Sequence, residues 1–465
     1  MNQFIIVASL ALLMFVAYRN QSVILFAPLI AIGAVFFTDP SQVAPVFTSI
    51  FMEKMSGFLR LYFPIFILGA IFGKLIEISA FSRAIVSALV KVIGNSHAIV
   101  VVTVVCAVLT YGGVSLFVVV FAVYPFAAEL FHQSNIPKRL IPGTIALGAF
   151  TFTMDCLPGT PQIQNIIPTT FFKTDAYAAP WLGSIGAVFI FSVGLAYLEW
   201  RRRHASKLGE GYGDKFQLKN EPSSFVSEAL PHPFIALLPL LLVGVTTWII
   251  SQMIPVYYGE SHSINITGAA KPIVTDISKV KAIWAVEAAL LVGIITTLIF
   301  AFKPVVTRFE DGSKLAISGA LLAVMNTASE YGYGGVIAAL PGFVWISDAL
   351  KSITNPLLNE AITVTILAGI TGSASGGMSI ALSAMADSFV QNAQASGIPL
   401  EVFHRVASMA SGGMDTLPHN GAVITLLVVT GLTHKESYKD IFSITLIKTM
   451  AVFFVIAVYY VTGIV

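Results

Sequence analysis

The sequence predicts an all-α polytopic membrane protein made of two inverted repeats, each with a re-entrant hairpin and a broken transmembrane helix. Three observations carry this. The 465-residue chain is 56% apolar and only 11% charged, with a mean hydropathy of +0.84, whereas about a quarter of the residues in a water-facing domain are charged. Apolar runs long enough to cross a hydrocarbon core of about 30 Å recur along it. Two of those runs are interrupted by nearly the same words, MDCLPGTPQ at 154–162 and MDTLPHNGA at 414–422.

Full spans are expected over 3–18, 22–38, 57–77, 180–200, 233–252, 281–302, 316–340 and 441–464. The opening MNQFIIVASLALLMFVAYRN has neither a basic n-region nor an Ala-x-Ala site, so it reads as a retained first span. Segment 97–131 is apolar but interrupted at Tyr111, Gly112 and Gly113. Each half has roughly 14–17 residues, too few at 1.5 Å per residue to cross, which predicts a re-entrant hairpin. Segment 361–394 repeats the plan, interrupted at Gly372, Ser373, Ser375 and Gly377. A broken span follows each hairpin, 139–172 and 401–432, and 42–56, 81–92 and 343–358 read as amphipathic interface segments.

Matched words support duplication. Gly112-Gly113-x-Ser115 recurs as Gly376-Gly377-x-Ser379 at an offset of 264, Ile136-Pro137 as Ile398-Pro399 at 262, and Met154-Asp155-x-Leu157-Pro158 as Met414-Asp415-x-Leu417-Pro418 at 260. The repeats are then 1–200 and 232–465, joined by a linker, 201–231. Positive residues set the orientation. Arg201, Arg202, Arg203 and Lys207 make that linker cytoplasmic, and Arg19, Lys91, Lys138, Arg139, Lys303, Arg308, Lys314, Lys435 and Lys439 fall on the same side. The first hairpin opens from the cytoplasm, the second from outside, and both termini are external. Lys74, Glu129, Glu287 and Asp387 lie near span ends and read as snorkelling groups. A net charge of +2 offers no nucleic-acid surface, and Cys106 and Cys156 lie in apolar segments where packing is the default role.

Non-helical backbone in hydrocarbon leaves polar groups unpaired at several kcal/mol each, so it survives only against protein or a polar cavity. A helix that begins at mid-membrane offers free N–H groups and a positive dipole end, which suits an anion. Gly112, Gly113, Gly376 and Gly377 permit close backbone approach. Thr110, Ser115, Thr160, Thr371, Ser373, Ser375 and Ser379 add hydroxyls, and Gln162, Asn165 and Asn420 add amides. The expected ligand is a small carboxylate bearing a hydroxyl or keto group; close helix packing is the plainer use of the same small residues.

Asp155 and Asp415 sit inside the breaks, and Glu330 lies deep in the span around ASEYGYGG. An ionised carboxylate there costs a few kcal/mol, which suits a reversible proton carrier. The two aspartates also suit N-caps of the helical stubs that follow, or a sodium site built with break carbonyls. His419 titrates in a range that suits a proton relay, or serves as a hydrogen-bonding site residue. No Arg or Lys is expected near the breaks, which favours a single carboxylate on the ligand. No His-Glu-x-x-His or Gly-x-Ser-x-Gly motif points to a membrane enzyme.

TYGGVSLFVVVFAVYPFAAELFHQSNIPKRLIPG followed by TMDCLPGTPQIQNIIP, with GITGSASGGMSIAL and GGMDTLPHNGAVIT in the second half, resembles the GntP gluconate permease family of the ion transporter superfamily. The gluconate branch reads Leu-Pro-Pro-His-Pro-Gly-Pro at the first break, where this chain has Leu157-Pro158-Gly159-Thr160-Pro161-Gln162. The chain is more similar to the 3-hydroxybutyrate permease-like branch. The resemblance implies a proton-coupled importer of small organic anions in the inner membrane. It also implies an elevator-type scaffold and transport domain, and a homodimer. It carries binding positions to Tyr111, Gly112, Gly113, Ser115, Asp155, Pro158, Gly159, Thr160, Ser373, Ser375, Gly377, Asp415, His419 and Asn420. A gluconate, other sugar-acid or citrate-type substrate, sodium coupling and a passive anion channel are the other readings.

Overall fold

The computed structural model describes residues 2–19, 21–94, 97–213, 220, 230–265, 272–344, 353–371, 373–418 and 420–465. The first half contains α1 (Asn2–Tyr18), α2 (Val23–Thr38), α3 (Pro40–Ile78), α4 (Phe81–Ile93), α5 (Ala98–Tyr111), α6 (Leu116–Gln133), α7 (Ile141–Ala149), α8 (Ile163–Phe172) and α9 (Pro180–Lys207). The second contains α10 (Pro233–Tyr258), α11 (Ile277–Phe300), α12 (Phe302–Ala339), α13 (Pro356–Thr371), α14 (Ala374–Ser396), α15 (Leu400–Gly412), α16 (Gly421–Thr430) and α17 (His434–Thr462). Among the described residues, α3, α9, α10, α11 and α17 are long and apolar enough to cross a membrane. At 17 and 16 residues, α1 and α2 are shorter apolar helices.

Helices of the two halves interleave in one row, α10–α11–α3–α12–α2–α1. At its centre α3 and α12 run antiparallel. A Cβ at Gly332 would fall 2.9 Å from the Phe51 carbonyl oxygen and one at Gly335 would fall 2.7 Å from Lys54 Cγ, while Gly312 seats on Ile78 and Lys74. The glycines of ASEYGYGG are thus a packing surface, in which missing side chains let two helices approach. Both hairpins, both broken spans, α9 and α17 form a second group. The main seam between the groups is α12 against α14, where a Cβ at Gly334 would lie 2.8 Å from Ile380 Cα.

Several boundaries differ from the sequence reading. Residues 42–56 are not a separate interface segment but the start of α3, which passes through a π-helical stretch at Phe47–Met52. The cationic stretch 303–314 is the first part of α12 rather than a loop; no proline interrupts the helix after Pro304, and Lys314 pairs with Glu310 one turn back at 2.8 Å. Helix α4 matches the amphipathic reading of 81–92, burying Phe81, Ala84 and Ile85 and exposing Val92. Of 343–358, residues 345–352 lie outside the described residues, and α13 begins at Pro356. The fold is not purely α: within 253–280, Ser261–Ile264 and Ile273–Asp276 form an antiparallel pair, strands too short to stand out by periodicity.

At one end of the molecule, Asp440 of α17 accepts from Arg201 Nε at 2.6 Å, Arg139 Nη1 at 3.1 Å and Tyr197 Oη at 2.8 Å. Arg139 also grips Glu210 through Nε and Nη2, at 2.6 and 2.7 Å. That guanidinium holds the Glu210 carboxyl below the usual carboxylate range. The cluster ties the start of the first broken span to the ends of α9 and α17.

Candidate functional site

The first break opens after α7, makes one helical turn at Phe152–Asp155 and runs non-helically to α8. Pro158 and Pro161 have no N–H to offer a helix. Gly159 takes φ +80°, and a Cβ there would meet Tyr177 at 2.5 Å. The freed backbone is satisfied locally. Thr160 Oγ1 donates to the Thr153 carbonyl at 2.8 Å, Gly159 N–H to Ala176 at 2.8 Å, and Asn165 Nδ2 to both Thr160 and Ala176 carbonyls at 2.9 Å. Arg405 of α15 clamps the rest, donating to the Asp155 carbonyl at 2.6 Å, Asn165 Oδ1 at 3.0 Å and the Ala178 carbonyl at 2.7 Å.

The first hairpin tip is fastened to this break. Tyr111 Oη donates to the Pro158 carbonyl at 2.8 Å, and Gln162 Nε2 to the Thr110 carbonyl at 2.7 Å. Gly113, at φ +94°, turns the chain beside Pro161, while Gly112 seats against Leu240 of α10. Ser115 stands at the N-cap of α6 and Gln162 at that of α8, and neither side chain caps its helix.

The second break is built differently. Asp415 Oδ1 accepts from the Ala374 N–H at 3.0 Å, and Oδ2 from Gln164 Nε2 at 2.9 Å. It therefore caps α14 of the second hairpin rather than the stub that follows it, and α16 is capped by Asn420 Oδ1 on the Ala422 N–H at 2.7 Å. Ser373 Oγ accepts from the Gly376 N–H at 3.1 Å, and Ser375 Oγ lies 3.3 Å from Thr327 Oγ1. Gly377 sits on the backbone of Ala368, across the hairpin. His419 and Gly372 lie outside the described residues. Because Gln164 lies in the first turn of α8 and Asp415 opens the second break, their hydrogen bond joins the two breaks and, through them, both hairpin tips.

The expectation that no cation lies near the breaks is overturned. Lys448 of α17, 1% exposed, pairs with Asp155 Oδ2 at 2.5 Å and donates to the Phe150 carbonyl at 3.1 Å. A cation there complements the C-terminal end of α7. Gly412 makes the room: a Cβ would fall 1.7 Å from Asp155 Oδ2 and 2.3 Å from Lys448 Nζ. Asp155 also accepts from Cys156 Sγ at 3.0 Å and does not cap α8. Lys448 was missed because it is far from the first break in sequence, and Arg405 because it precedes the second break yet clamps the first; their trace is a cation inside ITLIKTMAVFF and LEVFHRVASM. Glu330 is 3% exposed, its Oε2 has no partner, and it meets the charge of Asp415. Glu360 of α13, also unforeseen, is fully buried with neither oxygen partnered.

No protein-family model matches the chain. It is 58% identical over 473 residues to the Bacillus subtilis (strain 168) protein named uncharacterized transporter YxjC, with 100% of both chains covered. Its fold is similar to that of the crystal structure of the Alcanivorax borkumensis YdaH transporter, with TM-score 0.53 at 15% identity over 91% of this chain and 90% of that one. At that identity the likeness concerns the fold alone. Together with the apolar helices, these comparisons make the molecule a polytopic membrane transporter.

Proposed function

We propose that this chain, which belongs to the same transporter family as Bacillus subtilis YxjC, is a proton-coupled importer of a short hydroxy or keto monocarboxylate, with 3-hydroxybutyrate the first candidate. The observation that carries this is the Gln164–Asp415 hydrogen bond, which brings two interrupted spans and two hairpin tips to one buried place. Helix ends brought together there serve a ligand better than a lipid-facing wall. The anion seat comprises the first-half positions Tyr111, Gly112, Gly113, Ser115, Pro158, Gly159 and Thr160, and the second-half positions Ser373, Ser375, Gly377, His419 and Asn420. The N-termini of α6 and α8 are left without caps from their own N-cap side chains.

Coupling follows from the buried charges. Asp155 pairs with Lys448 and Arg405 grips the first break, whereas among the described residues neither Asp415 nor Glu330 has an ion-pair partner, so a further anion enters beside unneutralised carboxyls. A proton on one of the three carboxyls offsets it. Every charged donor of Arg405 and Lys448 described above is engaged within the protein, so a single ligand carboxylate still suits the seat better than two or three. Residues 1–200 and 232–465 act as inverted repeats around linker 201–231; the interleaved row with α3 and α12 at its centre supports this. That row is the scaffold, the second group the moving part, in a homodimer in the inner membrane. The GntP resemblance agrees with this assignment.

The test is uptake by purified protein in liposomes of labelled 3-hydroxybutyrate, competed by gluconate, lactate, acetoacetate and citrate, with and without an inward proton gradient. Gradient-dependent accumulation blocked by short hydroxy and keto acids is expected. Uptake of labelled gluconate with no uptake of 3-hydroxybutyrate would reassign the substrate, and downhill flux that never accumulates would make the protein a channel.

A further inference from the structure

We propose that the coupling proton is carried by Glu330, which acts as a proton-operated latch between α12 and the second hairpin, while Asp155 and Asp415 hold the breaks in shape. The proposal rests on the carrier reading above and sharpens it. The three carboxyls differ in what meets them. Asp155 has a cation on one oxygen and a thiol on the other. Asp415 receives N–H donors on both oxygens. Each of these two groups thus has both carboxyl oxygens met by a donor. Glu330 has no such partner on Oε2, and its carboxyl is pressed against α14: a Cβ at Gly376 would lie 1.6 Å from Oε2 and 2.9 Å from Oε1.

The place of Glu330 gives the missing partner a use. Helix α12 is locked to α3 by Gly332 and Gly335, whereas the same helix meets α14 through Thr327, Glu330 and Gly334. An unpaired carboxylate in that seam, beside the charge of Asp415, opposes docking of the hairpin; the neutral acid does not. Among the elements packed on α12, α2 contains no charged residue, α14 has Asp387 well beyond Gly376, and Lys54 of α3 lies over the Tyr331 ring. Asp415, at the second break, is the acidic group nearest in role, and α11 contributes Glu287. In the cycle, a proton from the loading side converts the Glu330 carboxylate to the acid and the hairpin docks. Release of that proton to water on the far side restores the carboxylate and frees the seam. No other bond changes.

The experiment is proton-driven uptake of 3-hydroxybutyrate in liposomes by wild type, E330Q and E360Q, beside counterflow exchange at a single pH. One proton per anion makes a one-unit gradient, about 1.4 kcal/mol, drive roughly tenfold accumulation. E330Q is expected to keep counterflow and to lose the response, its accumulation ratio staying near one; E360Q is expected to accumulate like wild type. Tenfold accumulation by E330Q, or loss confined to E360Q, would overturn the assignment. The infrared carbonyl band of a buried carboxylic acid, present in wild type and E360Q and lost in E330Q, reads the same proton without transport. If no acid is carried at all, the carrier reading fails while that band still decides the state of Glu330. Absence of the band in folded wild type would refute the latch.

Discussion

The two breaks share the words Met-Asp-x-Leu-Pro, yet they are held by opposite means. At the first, Asp155 is neutralised by a buried lysine and the surrounding carbonyls are gripped by a buried arginine. At the second, Asp415 is met by a backbone N–H and an amide, with an unpartnered carboxyl close by. The cause lies in the helices that follow the breaks. Lys448 comes from α17, whereas α9, the helix after the first break, has no cation between Pro180 and Glu199 to return to Asp415. A repeat fixes where a carboxylate stands. Its charge state is set by whatever the other half brings to it. On the proposed reading both breaks are frames, and the place where charge can change is Glu330 of α12, beside the second.

Breaking the ion pair has the largest expected effect. Removing one partner of a buried pair strands a charge, so D155N and K448M should each lower stability by about 3–5 kcal/mol. The double variant D155N/K448M should recover most of it in thermal unfolding of the detergent-solubilised protein. A double variant no better than the singles would show that the pair is not a self-contained unit.

G376A sharpens the other side. Its added methyl meets the Glu330 carboxyl, so about 1–3 kcal/mol of strain is expected. The loss should shrink in the G376A/E330A background, which removes the obstacle, and a double-mutant cycle measures that coupling. Smaller still is Y111F, which removes the hydrogen bond from the first hairpin tip to Pro158, worth about 0.5–1.5 kcal/mol. E210Q should cost no more than about 1 kcal/mol, because that pair is partly exposed. The Glu210 contribution is present above the ordinary carboxylate range and lost as pH falls through its lowered value, so wild type and E210Q should converge in acid.

Five of the eight expected spans, those within α3, α9, α10, α11 and α17, and the four interruptions were legible because hydrocarbon imposes length and periodicity on everything that crosses it, and because Gly and Pro mark where a helix stops. Boundaries at 42–56 and 303–314 were not, since a charged or kinked stretch continues a helix whenever a partner such as α3 or α12 covers it. The partners of Asp155 were also hidden. Lys448 lies almost three hundred residues along, and only the packing of α17 against α7 brings it near. Conversely, Glu330 stood out in sequence because a carboxyl amid glycines in an apolar span is costly to bury unless it serves a purpose there. Gly376 was marked for close approach of a ligand; in this structure what approaches it is Glu330.

The most direct test of the frame-and-switch distinction is proton-gradient-driven accumulation by the folded D155N/K448M variant. The account predicts that it accumulates substrate in response to the gradient, because a neutral pair still frames the first break. A folded D155N/K448M protein that exchanges substrate but no longer responds to the gradient would place the proton at Asp155 and contradict it.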